Sequence, residues 1–138
     1  MTAIVFRHAS AGDRAAWEGD DRLRPLDKKG RRQAKRLVPL LTELGARRIV
    51  SSPYLRCVQS VEPLAAALGV AIEEDERLAE GHGDAARSLL GEDGVVACTH
   101  GDVAAALSGT WLKKGAAAVV HEGRITQTIR ARKSENPK

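Results

Sequence analysis

Three short apolar runs of this sequence stop abruptly at clusters of arginine, histidine, serine and threonine, and each run has the length and composition of a β-strand. The clusters are Arg7-His8, Ser51-Ser52-Pro53 with Arg56 one turn later, and Thr99-His100-Gly101. In an open α/β sheet, the carboxyl ends of parallel strands face a common crevice in which ligands bind. We therefore expect two arginines and two histidines, which are distant in the sequence, to meet in one pocket.

Strand-like and helix-like segments alternate along most of the 138 residues, and this alternation predicts an α/β fold. We expect a three-layer sandwich: a mainly parallel sheet with helices on both faces and an antiparallel hairpin, residues 117–121 and 125–129, at one edge. A chain of this length suits one domain, residues 1–138, without a cap insertion. The charged segment 130–138 is expected to be a frayed tail.

Capping patterns predict where the helices begin. Asp27 is expected to cap the first long helix. Ser52 as N-cap, with Pro53 at the first helical position, predicts the start of a second helix. Asp102 is expected to cap a third, and a short helix is expected over residues 85–90.

The composition argues against a nucleic-acid partner. Lys and Arg number 22 against 18 Asp and Glu, so the net charge is only +4, and this modest excess does not indicate which anion is bound. Two Trp, one Tyr and one Phe are too few for a platform that stacks the bases of a single strand. We expect Trp17 at the mouth of the pocket and Trp111 in the core.

The distribution of apolar residues, cysteines and carboxylates bears on location and cofactors. No run of about 18 apolar residues is present, so no membrane span is expected. The N-terminus lacks the pattern of a signal peptide. Cys57 and Cys98 are too few for a disulfide framework or a cysteine-built zinc site, and no carboxylates have metal-ligand spacing. A cytoplasmic protein without a metal or other cofactor is expected.

The chemistry of the predicted pocket favours a phosphoryl group. Arginine presents a planar fork that matches phosphate oxygens, and helix N-termini close to the strand ends would add further N–H donors. A neutral imidazole is also a nucleophile, so a histidine in such a pocket can form a covalent phosphoryl intermediate. The electrostatic stabilisation of phosphoryl transfer would then come from the arginines.

Four motifs along the chain resemble those of the histidine phosphatase superfamily, the phosphoglycerate-mutase-like enzymes, and occur in the same order. They are Val5-Phe6-Arg7-His8-Ala9, Arg24-Pro25-Leu26-Asp27-x-x-Gly30, Ser51-Ser52-Pro53-x-x-Arg56-x-x-Gln59-Ser60 and Thr99-His100-Gly101. Size and spacing are similar to those of the small phosphohistidine phosphatases and of the domain that follows a Nudix hydrolase in some actinobacterial proteins. The resemblance implies a metal-independent phosphatase.

The resemblance also implies a role for each matching residue. It implies that His8 is the nucleophile that becomes phosphorylated, and that the phosphoryl group is held by Arg7, Arg56, His100 and Gly101. Glu80 falls where many members of the family place the acid that protonates the leaving group. An isolated glutamate after a strand is also commonly a solvated surface residue, so both readings of Glu80 remain open.

One position departs from the family pattern, because Ala9 stands where the family usually has glycine. If the position requires a positive φ, alanine costs about 1 kcal/mol. If the glycine is there for close approach to the ligand, the methyl group of alanine narrows the pocket.

The chain is too short for the insertions that roof the active sites of the larger mutases and acid phosphatases, so an open site is expected. We expect the substrate to be phosphohistidine or another accessible phosphomonoester, carried by a small molecule or a phosphoprotein. Two alternatives stay open: phosphotransfer of the mutase type, and a non-catalytic module that binds phosphate. A third, a nucleic-acid binder that uses Arg31, Arg32, Lys35, Arg36 and the tail, is less favoured because such a run of charges is usually a solvated helix face. No feature of the sequence determines the oligomeric state.

Overall fold

The computed structural model describes residues 2–130, which form a six-stranded sheet and three α-helices. The strands are β1 (Thr2–Arg7), β2 (Arg48–Ser51), β3 (Ile72–Glu74), β4 (Val95–Thr99), β5 (Ala116–His121) and β6 (Arg124–Arg130). The helices are α1 (Lys28–Glu43), α2 (Leu55–Leu68) and α3 (Gly101–Ser108). Arg130 ends β6, and the rest of the predicted tail, 131–138, lies outside the described residues.

The order of the strands across the sheet is β3-β2-β4-β1-β5-β6. The first four are mutually parallel, whereas β5 pairs antiparallel with β1 and β6 antiparallel with β5. The β5–β6 connection is a two-residue turn in which Glu122 has φ 51° and Gly123 has φ 79°, as a type I′ hairpin turn requires. The predicted α/β architecture, with its antiparallel edge hairpin, is confirmed.

Each face of the sheet is covered by helices, because side chains alternate between the faces along every strand. Ile4 and Phe6 of β1 join the cluster formed by α1 and α2, whose contributions include Leu37 and Leu64. Ala3 and Val5 belong to the opposite cluster, which contains Val103, Ala104 and Leu107 of α3. This arrangement is the expected three-layer sandwich. Among residues 2–130, no helix combines the length and the apolar character that crossing a bilayer would require.

The register of the parallel strands brings their ends to one edge of the sheet. Arg7 lies opposite Thr99, and Ser51 lies opposite Cys98. The ladder continues one residue beyond β1, where the His8 N–H donates to the Thr99 carbonyl at 2.9 Å. The residues that follow β1, β2 and β4 are therefore fixed relative to one another by backbone hydrogen bonds.

The segment after β1 is a long loop that contains two 3-10 turns, Arg14–Ala16 and Asp21–Leu23. Asp27 ties the two ends of this loop together. Its carboxylate caps α1 by accepting the Gly30 N–H at 2.7 Å, as predicted, and also accepts the Ser10 hydroxyl at 2.8 Å. One aspartate thus begins the helix and closes the loop.

Three of the helix predictions are wrong, two in where the helix begins and one in the type of helix. Helix α2 begins at Leu55 rather than Pro53, and Ser52 does not cap it because its hydroxyl is bonded to His100 Nε2 at 2.9 Å. Helix α3 begins at Gly101, so Asp102 lies within its first turn. Its carboxylate accepts the Gly81 N–H at 2.8 Å instead. The helix expected over residues 85–90 is a 3-10 turn, Arg87–Gly91.

Gly30 allows α1 to approach the loop that carries the residues after β1. A Cβ atom at Gly30 would lie 1.9 Å from the Ser10 carbonyl oxygen, although the backbone of Gly30 is ordinary helix. We predict that Gly30→Ala lowers the free energy of unfolding by about 2–4 kcal/mol, because overpacking against backbone outweighs the helix propensity of alanine. Urea denaturation measures the loss.

Gly91→Ala is the matched control for Gly30→Ala. A Cβ at Gly91 meets no atom within 4 Å and the residue has no positive φ, so its free energy of unfolding should change by less than about 0.5 kcal/mol. Equal losses in the two variants would contradict the prediction.

Candidate active site

The carboxyl ends of β1, β2 and β4 bring together the residues that the sequence singles out. The His8 and His100 rings are 5.4 Å apart, centroid to centroid, and nearly perpendicular. The Tyr54 ring contacts two of the predicted site residues: it lies 4.5 Å from the His100 ring and 4.9 Å from the Arg56 guanidinium. Arg7 is the last residue of β1 and adjoins His8 directly.

A cavity of about 340 Å³ opens at this edge of the sheet. Its lining consists of Arg7, His8, Gly12, Arg14, Arg24, Glu80, Gly101, Asp102, Trp111 and Lys114. Arg56 and His100 are absent from the lining and lie behind Glu80. One Glu80 oxygen, Oε2, is 3.6 Å from Arg56 Nη2 and 3.9 Å from His100 Nδ1.

His8 is held as a neutral imidazole with a defined tautomer. Its Nδ1 lies 2.8 Å from the Ala9 carbonyl oxygen; a carbonyl can only accept, so Nδ1 carries the proton and Nε2 keeps its lone pair. Burial lowers the pKa of His8 to about 3, and the nearby charges of His100, Arg56 and Arg7 act in the same direction, against the smaller effect of the Ala9 bond. The imidazole is therefore neutral near neutral pH, and the lone pair on Nε2 is available to a ligand.

His100 is oriented by Ser52. The Ser52 Oγ lies 2.9 Å from His100 Nε2 and also accepts the Tyr54 N–H at 3.3 Å. The contact with Ser52 occupies Nε2 and leaves Nδ1 without a hydrogen-bond partner, 3.9 Å from Glu80 Oε2. Ser52 thus fixes the orientation of the second histidine, a role that the cap prediction missed.

Three buried side-chain nitrogens in residues 2–130 have no hydrogen-bond partner: Arg7 Nε, Arg56 Nε and His100 Nδ1. All three belong to residues that surround His8. Buried polar groups are nearly always paired, and leaving one unpaired costs about 1–3 kcal/mol. Unpaired nitrogens on the residues around His8 are suited to a ligand that supplies several acceptor oxygens.

Arg56 is fully buried, and the loop after β1 supplies its counter-charge. Its Nη1 donates to the Asp21 carbonyl at 2.8 Å and its Nη2 to Asp21 Oδ2 at 3.0 Å. Arg24 donates to the other carboxylate oxygen of Asp21 at 2.9 Å. Burial raises the pKa of Asp21, but the bonds from Arg24 and Arg56 outweigh it and lower the pKa overall.

Asp21 was not identified by the sequence analysis. The adjacent aspartates at 20 and 21 are a visible signal, yet they have different roles: Asp20 caps the 3-10 turn by accepting the Arg22 N–H at 3.0 Å. The local pattern does not show which of the two reaches a helix on the other side of the pocket. That information lies in the packing of the loop against α2.

Two further positions of the third motif attach α2 to the rest of the site. Ser60 accepts the Ala9 N–H at 2.9 Å and donates its own proton to the Arg56 carbonyl at 2.7 Å. Gln59 accepts the Leu26 N–H at 2.8 Å through its side-chain oxygen. These residues do not reach the cavity; they hold the loop after His8 against the helix that carries Arg56.

Glu80 is positioned from both sides of its loop. The Thr99 hydroxyl donates to the Leu78 carbonyl on one side, and Asp102 accepts the Gly81 N–H on the other. Arg14 then contacts the carboxylate directly, with 2.6 Å between Nη2 and Oε2. Glu80 therefore lies on the wall of the cavity within reach of the His8–His100 pair, rather than free in solvent.

Ala9 does not carry either of the costs expected for the replacement of glycine. Within the described residues, the non-glycine position with positive φ is Glu122, so Ala9 has ordinary backbone geometry. Its methyl group is fully buried in a small cluster with Ala11, Leu26 and Ala34 and is not part of the cavity lining. The methyl group thus packs beneath the loop and leaves the pocket unchanged.

The two tryptophans differ from the expectation. Trp111 is 64% exposed rather than buried in the core, and lines the cavity with its ring 4.9 Å from the Arg7 guanidinium. A Cβ at Gly101 would lie 2.9 Å from both Arg7 Cζ and Trp111 Cη2, so glycine is needed for this contact. Trp17 lines a neighbouring cavity and donates its indole N–H to the Asp20 carbonyl at 3.0 Å.

A neutral histidine beside arginine donors, at the carboxyl ends of the parallel strands, suits a phosphoryl group and is compatible with a phosphoric monoester hydrolase. Comparison with known families agrees. The family model of the histidine phosphatase superfamily (branch 1) matches residues 4–89, more than half of the chain. The chain belongs to this superfamily, and the resemblance seen in the four motifs is confirmed.

Individual relatives extend this result. The chain is 40% identical over 122 residues to the 8-oxo-(d)GTP phosphatase of Mycolicibacterium smegmatis, in an alignment that covers 82% of this chain and 38% of that protein. The chain thus spans little more than a third of the curated relative's length. The substrate of the whole relative is therefore not assigned to this chain.

Two solved structures share the fold. The protein histidine phosphatase SixA complexed with tungstate has a TM-score of 0.80 at 20% identity, covering 94% of this chain and 97% of that one. A mycobacterial glucosyl-3-phosphoglycerate phosphatase in complex with VO3 has a TM-score of 0.70 at 16% identity, covering 94% and 96%. At these identities the similarity concerns the fold.

Within residues 2–130, no group of three or more His, Cys, Asp and Glu side chains is arranged to hold a metal ion. Among the carboxylates near the cavity, Asp21 and Glu80 are engaged by arginines and Asp102 accepts the Gly81 N–H.

The low pKa of His8 predicts a specific dependence of stability on pH. Its folded value of about 3 lies below the ordinary 6.5, so between these pH values the unfolded chain binds a proton that the folded chain does not. The free energy of unfolding should therefore fall as the pH is lowered from 6.5 towards 3, by up to about 1.4 kcal/mol per pH unit from this residue.

Urea denaturation of the wild type and of His8→Asn at several pH values between 6.5 and 4 tests this prediction. The variant cannot bind the proton in either state, so its free energy of unfolding should depend less steeply on pH. Parallel curves for the two proteins would show that His8 titrates normally.

Proposed function

We propose that this chain hydrolyses phosphoryl groups through a covalent intermediate on Nε2 of His8. The observation that carries the proposal is the set of three unpaired buried nitrogens, on Arg7, Arg56 and His100, around a histidine that is neutral and has its Nε2 lone pair free. A phosphoryl group presents three acceptor oxygens and an electrophilic phosphorus to this set.

The first step is attack of the His8 Nε2 lone pair on phosphorus. The N–P bond forms while the bond from phosphorus to the leaving group breaks, and the leaving group takes the bonding electrons and a proton. Negative charge on the three equatorial oxygens is stabilised by Arg7, Arg56 and His100. His8 acquires positive charge on its imidazole, while its bond to the Ala9 carbonyl holds the ring in place.

The second step is hydrolysis of phospho-His8. Water attacks phosphorus, the N–P bond breaks, and its electrons return to Nε2, so that inorganic phosphate and neutral His8 are formed. We assign the proton transfers of both steps to Glu80, on the cavity wall with Oε2 3.9 Å from His100 Nδ1. In the first step Glu80 passes a proton to the leaving group, and in the second step its carboxylate accepts the proton of the attacking water.

The substrate in this proposal is phosphohistidine or another accessible phosphomonoester, on a small molecule or a phosphoprotein. The mouth of the cavity supports this breadth, because Trp111 and Arg14 are both largely exposed there. The same exposure favours hydrolysis over a mutase, which must keep water away from the phosphoenzyme. The name of the mycobacterial relative adds nucleotides as a second substrate class.

The proposal includes a domain without a cap insertion and a cytoplasmic location. Support for the location comes from Cys57 and Cys98, which are both buried and both free thiols, as expected in a reducing compartment. No nucleic acid is proposed as a partner.

Incubation with a phosphate ester and rapid acid-free denaturation should leave acid-labile phosphate on the wild type. We expect none on His8→Ala, because the nucleophile is absent, and at least a 10³-fold loss of turnover. His82→Ala is the matched control: its histidine is in the loop after Glu80 but outside the cavity lining, so label and turnover should persist.

Equal turnover by wild type and His8→Ala would contradict the covalent mechanism. Tight binding of vanadate without turnover on phosphohistidine, phosphomonoesters or nucleotides would instead identify a non-catalytic phosphate-binding module.

The role of Glu80 predicts a dependence on the leaving group. For Glu80→Gln, kcat/KM for an alkyl phosphate should fall by about 10²–10⁴, because an alkoxide needs a proton donor. For phosphohistidine, whose imidazole leaves already protonated, the loss should be less than about tenfold. Because kcat/KM reports the transfer to His8, the second step does not obscure the comparison.

Glu76→Gln is the control for Glu80→Gln. Glu76 forms a similar exposed ion pair, 2.6 Å from Arg22, but does not line the cavity. Both substrates should retain wild-type kcat/KM in this variant. A uniform loss on both substrates in Glu80→Gln would assign the residue to binding rather than to proton transfer.

A further inference from the structure

Trp111 belongs to two cavities at once. It lines the pocket that contains His8, and it also lines a larger groove of about 550 Å³. Leu40, Thr110, Lys113, Thr128 and Arg130 lie along that groove. The two cavities therefore share Trp111, which is 64% exposed and whose ring lies 4.9 Å from the Arg7 guanidinium.

The segment that connects α3 to β5 forms the ridge between the two cavities. Lys113 lines the groove, whereas the next residue, Lys114, lines the catalytic pocket. Leu112 anchors the ridge, because its side chain is buried and its carbonyl accepts Arg7 Nη1 at 2.8 Å. The ring of Trp111 is therefore presented by a segment that is bonded to the active site.

The groove has a distinct chemistry. Lys113 and Arg130 supply positive charge, Thr110 and Thr128 supply hydroxyl groups, and no carboxylate is among its lining residues within 2–130. Such a surface suits a ligand part that is planar, so that it can stack on the indole, and that carries hydrogen-bond acceptors such as carbonyl oxygens or ring nitrogens.

We propose that this groove is a subsite for the leaving group and that it takes the base of a nucleoside phosphate whose phosphoryl group reaches His8. The inference rests on the proposed function and narrows its substrate class. The volume of the groove is in the range of small-molecule sites. A folded phosphoprotein needs a wider contact surface than one groove beside the pocket. Its charged surface would be recognised by charged side chains and would not require the exposed ring of Trp111.

The experiment compares a phosphate ester that carries a base on its ribose with a phosphate ester that has neither ring. Guanosine 5′-monophosphate carries a base and glycerol 3-phosphate does not. For Trp111→Ala, loss of stacking should raise KM for the nucleotide by about tenfold more than KM for glycerol 3-phosphate, whose own change reports only the lost contact between the indole and Arg7. Trp111→Phe should retain most of the nucleotide affinity, since a planar ring remains.

Trp17→Phe is the control for tryptophan replacement. Trp17 is also partly exposed but lines a separate cavity, so both KM values should be unchanged. An equal rise for both substrates in Trp111→Ala would mean that the indole acts through Arg7, and would overturn the proposal. No change for either substrate would overturn it as well, as would a wild type that hydrolyses a phosphohistidine peptide but not the nucleotide.

A binding measurement separates the subsite from the chemistry. In a Trp17→Phe, His8→Ala double variant, Trp111 is the single tryptophan and phosphoryl transfer is blocked. Guanosine 5′-monophosphate should quench its fluorescence with saturation, and glycerol 3-phosphate should not. Saturable quenching alongside a catalytically inactive wild type would reject the proposed function and keep the subsite; a linear response to both compounds would reject the subsite alone.

Discussion

The parallel pairing of β1 with β4 is the constraint on which the site depends. It ends in one hydrogen bond, from the His8 N–H to the Thr99 carbonyl, which places the first histidine beside the strand end that leads to the second. Both strands are buried on both faces, so a slip of register would expose core side chains and would be strongly disfavoured. The distance between the two imidazoles is therefore set by the core of the sheet rather than by loops.

The distribution of charge around this frame explains how a cationic pocket can persist in the folded protein. A guanidinium as buried as that of Arg56 is costly unless it is paired, and Asp21 pairs with it from the side away from its unpaired Nε. Glu80 is held in turn by Arg14. The carboxylates thus satisfy the outer edges of the arginines and leave inner donors for an anion.

The sequence was informative wherever a residue's role depends on its neighbours in the chain. The alternation of strands and helices, the Asp27 cap and the hairpin follow from local pattern and agree with the structure. Ser52 and Asp102 have the local chemistry of helix caps, but contacts across the site take both side chains, to His100 and to Gly81.

The same reason accounts for the misplaced tryptophan and the missed aspartate. An aromatic residue in a chain poor in them is ordinarily buried, yet the indole of Trp111 is drawn to the surface contact with Arg7. Asp21 is indistinguishable from Asp20 until the loop is packed on α2. Residue type and spacing carry no information about which side chains meet across a cavity.

The hydroxyl of Ser60 has a consequence for how such a domain can change during evolution. It joins the backbone next to His8 to the backbone of Arg56, entirely beneath the cavity. His8 and Arg56 are therefore tied to each other from below, whereas the Glu80 loop and the Trp111 ridge line the cavity without taking part in that link. Substitutions in these two segments would change the rim of the cavity and leave the link between His8 and Arg56 in place.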